Sequence, residues 1–208
     1  MFKERLWHKG VLAILRGFNE TEALDAALAL LEAGISTIEI TADSQGAWRV
    51  IDTLKTKESR LVVGAGTVLD TETARQAIEA GADFLFSPIV FPEMMQIAHR
   101  YGRLAIPGAM TPTEVLLAVE AGADIVKLFP AGSLGVNYLK ELRGPFPYIP
   151  FLPTGGITLD NAPEFIQAGA VGVGMGSALV KKDWVKQKNF AQITRHALEL
   201  QEKIQGIF

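Results

Sequence analysis

A lysine stands inside an apolar run near the middle of the chain, in the segment DIVKLF at residues 124–129. Removing an ammonium ion from water costs several kcal/mol unless the charge is paired or lost. A lysine in a partly desolvated pocket therefore has a lowered pKa and can be neutral near neutral pH. A neutral amine attacks a carbonyl carbon and forms a Schiff base, which then acts as an electron sink. Lys127 is the candidate nucleophile of this sequence.

A glutamate occupies a comparable place in the segment STIEIT at residues 36–41. Because side chains alternate along a strand, Thr37, Glu39 and Thr41 share one face and the two isoleucines share the other. In a barrel the apolar face packs under helices, so the polar face is expected to point inward. Schiff-base chemistry needs proton transfers at the carbinolamine oxygen and at the carbon beside the iminium. A carboxyl group suits both, and Glu39 is therefore the candidate general acid/base.

The direction of the Lys127 side chain is left open by alternation alone, since Lys127 shares its strand face with Ile125 and Phe129. A structural ion pair between Lys127 and Glu39 is the alternative to a catalytic role. Both residues lie toward the carboxyl ends of their predicted strands, where the active sites of barrel enzymes are found.

Two glycine clusters occur near the C-terminal end, PTGGI at residues 153–157 and GMGSAL at residues 174–179. Gly155 and Gly156 would let backbone N–H groups approach an anion closely, and Ser177 could donate its hydroxyl. A short helix beginning near Ser177 would add its dipole and its free N–H groups. A glycine pair alone is usually a turn. The two clusters together predict a phosphate site, and with the lysine they indicate a phosphorylated keto compound as substrate.

Eight short apolar segments have the length and composition of strands. They are VLAIL at 11–15, TIEI at 37–40, LVVGAG at 61–66, FLFS at 84–87, LAIPG at 104–108, DIVKLF at 124–129, IPFLPT at 149–154 and VGVGMG at 171–176.

Helix-like segments lie between these strands, and four of them end in an Ala-Gly pair. The four segments are ETEALDAALALLEAG, DTETARQAIEAG, TPTEVLLAVEAG and TLDNAPEFIQAG. Their final glycines, Gly34, Gly81, Gly122 and Gly169, suit the left-handed conformation that ends a helix. Thr111 followed by Pro112 predicts a helix cap before a proline at the first helical position.

Alternation of strand and helix predicts an α/β fold with a parallel sheet. Eight units favour a (β/α)8 TIM barrel, formed as a single domain over residues 1–208, because no linker rich in Pro or Ser interrupts the chain. An open doubly wound sheet is the alternative, but eight evenly spaced strands exceed its usual five or six.

The composition excludes several classes of function. A net charge of −3 and a pI near 5.7 argue against nucleic acid as a partner. No apolar run approaches the length of about 18 residues that spans a bilayer, and no signal-peptide core follows the charged N-terminus, so we expect a cytoplasmic protein without membrane contact. Cysteine is absent, and the three histidines, His8, His99 and His196, are far apart. We therefore expect neither a metal site nor a cofactor.

The motifs IEIT, GAGTV, FLFSP, IPGAMTPTE, VKLFPA and PTGGI occur in this order over about residues 10 to 180. In type and order they resemble the motifs of the KDPG/KHG aldolase family, which includes bacterial 2-keto-3-deoxy-6-phosphogluconate (KDPG) aldolase and the phosphogalactonate and 4-hydroxy-2-oxoglutarate enzymes. The start AILRG is more similar to the phosphogalactonate branch, whereas PTGGI is more similar to the phosphogluconate branch.

This resemblance implies a role for each candidate residue. Lys127 would be the Schiff-base lysine and Glu39 the acid/base, while Arg16 and Thr67 would contact the pyruvate half of the substrate. The phosphate end would be lined by Thr154, Gly155, Gly156, Gly176 and Ser177. The implied reaction is that of a metal-free class I aldolase, a carbon–carbon lyase that gives pyruvate and glyceraldehyde 3-phosphate. The resemblance also implies a homotrimer.

The sequence departs from the family pattern after the second strand. Many relatives continue E-V-T-L-R, with an arginine that helps to bind substrate, whereas Ala42 and Asp43 stand at these two places here. Asp43 brings a negative charge near the path of an anionic substrate. A phosphate-binding barrel isomerase or epimerase is the alternative enzyme, and a non-catalytic phospho-sugar-binding protein is the alternative outside catalysis.

Overall fold

Strands and helices largely alternate along residues 10–207, which are the residues described by the computed structural model of the protein. The strands are β1 (Val11–Leu15), β2 (Thr37–Thr41), β3 (Val62–Gly66), β4 (Phe84–Phe86), β5 (Leu104–Ile106), β6 (Gly108–Ala109), β7 (Val126–Leu128), β8 (Phe151–Pro153) and β9 (Val173–Met175). The helices are α1 (Glu20–Glu32), α2 (Ala47–Lys57), α3 (Thr71–Glu79), α4 (Pro92–Arg100), α5 (Pro112–Glu120), α6 (Ala131–Leu134), α7 (Val136–Arg143), α8 (Ala162–Gln167), α9 (Lys182–Lys186) and α10 (Phe190–Ile204).

The strands form two parallel sheets, as the alternation of elements predicts. One sheet has the order β5-β4-β3-β2-β1-β9 and the other has the order β6-β7-β8. Every strand pair in both sheets is parallel. A backbone bridge between Thr154, after β8, and Gly174, in β9, connects the two sheets. The α/β class with a parallel sheet is therefore confirmed.

The fifth predicted strand, at residues 104–108, is interrupted. β5 ends at Ile106 and β6 begins at Gly108, so Pro107 lies between them. Proline has no N–H to donate to a strand ladder, which explains a break at this position. β5 pairs with β4, whereas β6 pairs with β7, so the interruption lies where the chain passes from one sheet to the other.

Helix ends follow local rules that the sequence contains. The Thr111 side chain accepts a hydrogen bond from the backbone N–H of Glu114, whose carboxylate accepts one from the Thr111 N–H, and Pro112 opens α5. All four predicted helix-ending glycines have positive φ, between 83° and 96°: Gly34, Gly81, Gly122 and Gly169.

The helix predicted from residue 158 begins instead at Ala162. Thr158 and Asn161 donate their backbone N–H groups to each other's side chains and form a turn before it.

Buried apolar side chains form two clusters, one for each face of the strands. The larger cluster includes strand residues such as Ile38 and Ile40 together with the buried faces of the helices. The smaller cluster contains the alternate strand residues Leu12, Val62, Phe84, Phe86, Ile106, Ile125 and Leu152. Lys127 has the same parity as Ile125, so its side chain lies on the face turned away from the helices. This placement resolves the direction that alternation left open.

No helix within residues 10–207 is both long enough and apolar enough to cross a membrane. His8 and most of the N-terminal segment used for the signal-peptide prediction lie outside the described residues.

Candidate active site

A cavity of about 730 Å³ opens at the carboxyl ends of the strands. Arg16 follows β1, Thr67 follows β3, Thr154 follows β8 and Gly176 follows β9. The structure brings all of the predicted site residues together in the lining of this cavity: Arg16, Glu39, Thr67, Lys127, Thr154, Gly155, Gly156, Gly176 and Ser177.

Lys127 is the most enclosed cation of the cavity. The residue is 6% exposed, and its Nζ lies 4.2 Å from the centre of the Phe86 ring and 4.8 Å from that of Phe129. Burial lowers the pKa of Lys127; the charge of Glu39 opposes this shift, and the charge of Arg16 adds to it. Within residues 10–207 its ammonium forms no ion pair. The surroundings favour the neutral amine that attack on a carbonyl requires.

Glu39 projects from the centre of β2 and is 1% exposed. A Cβ on Gly66 in β3 would lie 1.6 Å from its Oε1, so only glycine at position 66 leaves room for the carboxyl group. Burial raises the pKa of Glu39 from 4.5 to about 7, against the opposing charges of Lys127 and Arg16 and with a smaller contribution from Asp43. A carboxyl group with this pKa can both give and take a proton near neutral pH.

One oxygen of this carboxyl group has no protein partner. Within the described residues, Oε2 of Glu39 is buried and lacks a hydrogen bond. Buried polar atoms are normally paired, and the exceptions concentrate at functional sites. The residue lines the cavity that also contains Lys127, so this carboxyl group is held next to the lysine without being tied to a neighbouring side chain among the described residues.

Arg16 is held by two side chains at the mouth of the cavity. Its Nη2 donates to Oγ1 of Thr67 at 2.7 Å, and its Nη1 donates to Oδ2 of Asp43 at 3.2 Å. Thr67 has a φ of 59°, in the left-handed region that β-branched residues rarely adopt. Such strain is typical of functional sites, where surrounding contacts maintain it. Asp43 thus pairs with the arginine that was expected to meet the substrate.

The glycine cluster after β8 is shaped by close backbone contacts. Gly155 and Gly156 have φ values of 83° and 73°, which glycine adopts without a steric penalty. A Cβ on Gly156 would lie 3.0 Å from Cα of Gly132, and a Cβ on Gly132 would lie 2.6 Å from the carbonyl oxygen of Gly156. The N–H of Gly132 donates to the carbonyl of Gly155 at 2.7 Å. We call the residues Thr154 to Gly156, Gly176 and Ser177 the glycine cradle.

The helix predicted to begin near Ser177 is absent. The N–H groups of Leu179 and Val180 both donate to the carbonyl of Gly176, which gives a turn over residues 177–179. The chain is then extended at Lys181, and α9 begins only at Lys182. The cradle therefore receives no helix dipole at Ser177, and this part of the sequence prediction was wrong.

No cluster of three or more His, Asp or Glu side chains that could hold a metal ion occurs within residues 10–207. Nε2 of His99 lies 3.0 Å from Oδ2 of Asp124, and Nε2 of His196 lies 3.0 Å from the carbonyl oxygen of Ala178.

Comparison with known proteins identifies the family. Residues 2–196 match the family model described as KDPG and KHG aldolase. The chain belongs to the KDPG and KHG aldolase family. The resemblance read from the motifs IEIT to PTGGI is thereby confirmed.

Curated members of the aldolase family align with nearly the whole chain. The 2-dehydro-3-deoxy-6-phosphogalactonate aldolase of Escherichia coli is 32% identical over 200 residues, which cover 94% of this chain and 96% of the relative. The 2-dehydro-3-deoxy-phosphogluconate aldolase of Pseudomonas aeruginosa is 34% identical over 194 residues, covering 93% and 88%. Enzymes with these names are carbon–carbon lyases.

A solved structure of one similar aldolase contains a covalent intermediate. KDPG aldolase from Legionella pneumophila, with pyruvate captured at low pH as a covalent carbinolamine intermediate, superimposes with a TM-score of 0.89. It is 28% identical, and the match covers 96% of this chain and 98% of that one. A carbinolamine is the adduct that precedes a Schiff base, so this relative is consistent with class I aldolase chemistry.

Three residues that matter for the site were not predicted. Phe86 covers Lys127, Gly66 makes room for Glu39, and Lys182 lines the same cavity as the cradle. The GAGTV motif contains Gly66, and its glycines were the available signal. Phe86 and Lys182 carry no comparable signal, since an apolar strand residue and a lysine on an exposed helix are common in any sequence.

Proposed function

We propose that the protein is a class I aldolase that cleaves a 2-keto-3-deoxy-6-phospho sugar acid into pyruvate and glyceraldehyde 3-phosphate. The observation that carries the proposal is the environment of Lys127. A lysine between two aromatic rings, with no ion pair within 4 Å among the described residues and with a lowered pKa, is prepared to act as an amine. Glu39 in the same cavity has the raised pKa that its partner role requires.

The first half of the reaction forms an iminium ion. Nζ of Lys127 attacks the C2 carbonyl carbon of the substrate, and Glu39 protonates the carbinolamine oxygen, which leaves as water. Glu39, now a carboxylate, takes the proton of the C4 hydroxyl. The bond between C3 and C4 then breaks, and its electron pair moves toward the iminium nitrogen to give an enamine. Glyceraldehyde 3-phosphate leaves as the aldehyde.

The second half releases pyruvate. Glu39 returns its proton to C3 of the enamine, and hydrolysis of the resulting iminium frees pyruvate and restores the Lys127 amine. Arg16 would hold the pyruvate carboxylate through guanidinium N–H groups not directed at Thr67 and Asp43. Thr67 would contact the same half. The glycine cradle would hold the phosphate through backbone N–H groups and the Ser177 hydroxyl.

The proposed substrate is a phosphorylated 2-keto-3-deoxy sugar acid of gluconate or galactonate configuration, and the unphosphorylated keto acid 4-hydroxy-2-oxoglutarate is the alternative. A relative named for the phosphogluconate substrate is 34% identical to this chain, and one named for the phosphogalactonate substrate is 32% identical. We propose that no cofactor takes part, because the imine itself supplies the electron sink.

We also propose that the two sheets close into one eight-stranded barrel in a single domain. This proposal is supported by β5 and β6, which count as one strand interrupted at Pro107, and by the bridge between Thr154 and Gly174. A homotrimer is proposed for the assembly. Leu116 and Leu117 on α5 are 48% and 50% exposed, which gives an apolar face that a second copy could cover. The cytoplasmic location stays a prediction.

Trapping with borohydride tests the covalent step directly. We expect pyruvate and borohydride to leave a reduced pyruvyl group on Lys127 alone, located by peptide mass mapping. Lys127→Arg should take up no label and have almost no turnover, because a guanidinium does not become a neutral amine. Lys181→Arg is the control and should be labelled like the parent. An unlabelled parent protein would instead favour a phosphate-binding isomerase or epimerase, or a non-catalytic binding protein.

A further inference from the structure

Lys182, the first residue of α9, lines the same cavity as the glycine cradle. Its Nζ lies 3.4 Å from the point where a Cβ on Gly17 would stand. Gly17 follows the end of β1, and β1 pairs with β9, whose end leads into Gly176 and Ser177. The ammonium group therefore lies at the carboxyl end of β1, the strand next to β9, from which Gly176 and Ser177 follow.

The charges of the cavity are unevenly distributed. Its charged lining residues are Arg16, Glu39, Lys127 and Lys182. Arg16 is drawn toward β2 and β3 by Asp43 and Thr67, and the ammonium group of Lys127 is enclosed between the Phe86 and Phe129 rings. Every residue of the cradle is uncharged, and no helix begins at Ser177.

A phosphate monoester carries a charge of about −1.5 to −2 near neutral pH. Held only by the cradle, it would meet neutral donors alone. Lys182 forms no ion pair within residues 10–207, so its charge is not already neutralised by a carboxylate. A lysine ammonium is a compact point charge on a flexible stem, which suits a phosphate that arrives and leaves with each turnover.

We propose that Lys182 binds the substrate phosphate and makes the enzyme prefer phosphorylated over unphosphorylated substrates. The proposal rests on the proposed aldolase function and identifies a recognition residue for it. The contribution belongs to binding, since the phosphate lies at the far end of the substrate from the carbonyl that Lys127 attacks.

Lys182→Met removes the charge and keeps most of the side-chain volume. We expect its KM for KDPG to rise on the order of tenfold, the size expected for a lost charge-assisted contact, with kcat nearly unchanged. KM for unphosphorylated 2-keto-3-deoxygluconate should not change. Lys182→Arg should stay close to the parent because the charge is kept. Lys181→Met is the matched control, since the Lys181 ammonium lies 4.8 Å from the centre of the Trp184 ring.

Two further measurements separate this proposal from the aldolase reaction. Inorganic phosphate, titrated calorimetrically, should bind Lys182→Met more weakly than the parent by a similar factor. Pyruvate trapping on Lys127 should be the same in both proteins, and its failure in the parent would count against the aldolase function while leaving the phosphate titration informative. Equal KM values for KDPG in Lys182→Met and the parent, or an equal rise for both substrates, would overturn the role of Lys182.

Discussion

The two ends of the cavity differ in composition, because one is formed by side chains and the other by backbone. The carbonyl end uses long side chains, Lys127 and Glu39, which project from strand centres and are almost fully buried. The cradle end uses backbone, with Gly155 and Gly156 in conformations that favour glycine. Chemistry on a carbonyl requires groups whose pKa can be shifted by burial, whereas an anion can be held by fixed dipoles. Substitutions at the carbonyl end are therefore expected to lower kcat, and substitutions at the cradle end are expected to raise KM.

After Lys127→Arg, the variant Glu39→Gln should produce the largest effect, and it tests the carbonyl end. The amide keeps the shape of the side chain but can neither give nor take the protons of the reaction. We expect kcat to fall by about a hundredfold or more, the usual contribution of a general acid/base, with KM for KDPG near that of the parent. Steady-state kinetics at several pH values measure both quantities. A rise in KM with intact kcat would place Glu39 in binding and remove the distinction between the two ends.

Gly156→Val tests the cradle and should have an intermediate effect. Its new side chain would meet the backbone of Gly132 and displace the bound phosphate. We expect KM for the phosphorylated substrate to rise on the order of tenfold, equivalent to about 1.4 kcal/mol. Pyruvate trapping on Lys127 should barely change.

Gly102→Val is the matched control for Gly156→Val. Gly102 also has a positive φ, 66°, but no atom lies within 4 Å of its Cβ position. Gly102→Val should lose stability through backbone strain, as Gly156→Val does, but its KM for the phosphorylated substrate should equal that of the parent. Loss of pyruvate trapping in Gly156→Val, together with an unchanged KM, would show that the phosphate binds elsewhere.

Asp43→Asn should produce the smallest effect and sharpens the electrostatics of the carbonyl end. The negative charge of Asp43 raises the pKa of Glu39, so its removal should lower that pKa below the present value of about 7. The transition of Glu39 in the pH profile of kcat/KM should move to lower pH. The transition that vanishes in Glu39→Gln identifies the one to follow.

Asp52→Asn provides the control, because Asp52 lies on the exposed side of α2 and changes the net charge by the same amount. Its profile should coincide with that of the parent. A shift of the Asp43→Asn transition to higher pH would mean that Arg16, released from its ion pair, moves away from Glu39 and that this loss of positive charge outweighs the loss of Asp43.

The carbonyl end could be predicted because charged residues are rare inside apolar strands. A lysine and a glutamate inside apolar strands are conspicuous, and the structure places both in one cavity. Arg16 and Thr67 were assigned by family resemblance, and the structure adds their contact with each other.

The cradle end was harder to predict from the sequence. Its glycine pair carries a signal, but where a helix begins depends on competing hydrogen bonds. At Gly176 a turn with the N–H groups of Leu179 and Val180 delays the helix to Lys182. The break at Pro107 likewise reflects the place where the two sheets meet, which local sequence does not specify. In the sequence nothing distinguishes Lys182 from an ordinary solvent-exposed lysine, and only its position in the cavity lining does so.

The contact between Gly132 and Gly156 limits which substitutions this sequence can accept during evolution. A side chain acquired at either position meets the backbone of the other, so neither single replacement is neutral while the other segment stays in place. The two positions therefore constrain each other, although Gly132 belongs to helix α6 and Gly156 to the loop after β8. Substitutions of charged residues in the cavity, such as Lys182, can be accepted one at a time. A change in the shape of the cradle requires α6 and the loop after β8 to move together, so the affinity for the proposed anion is easier to change than the place where it would bind.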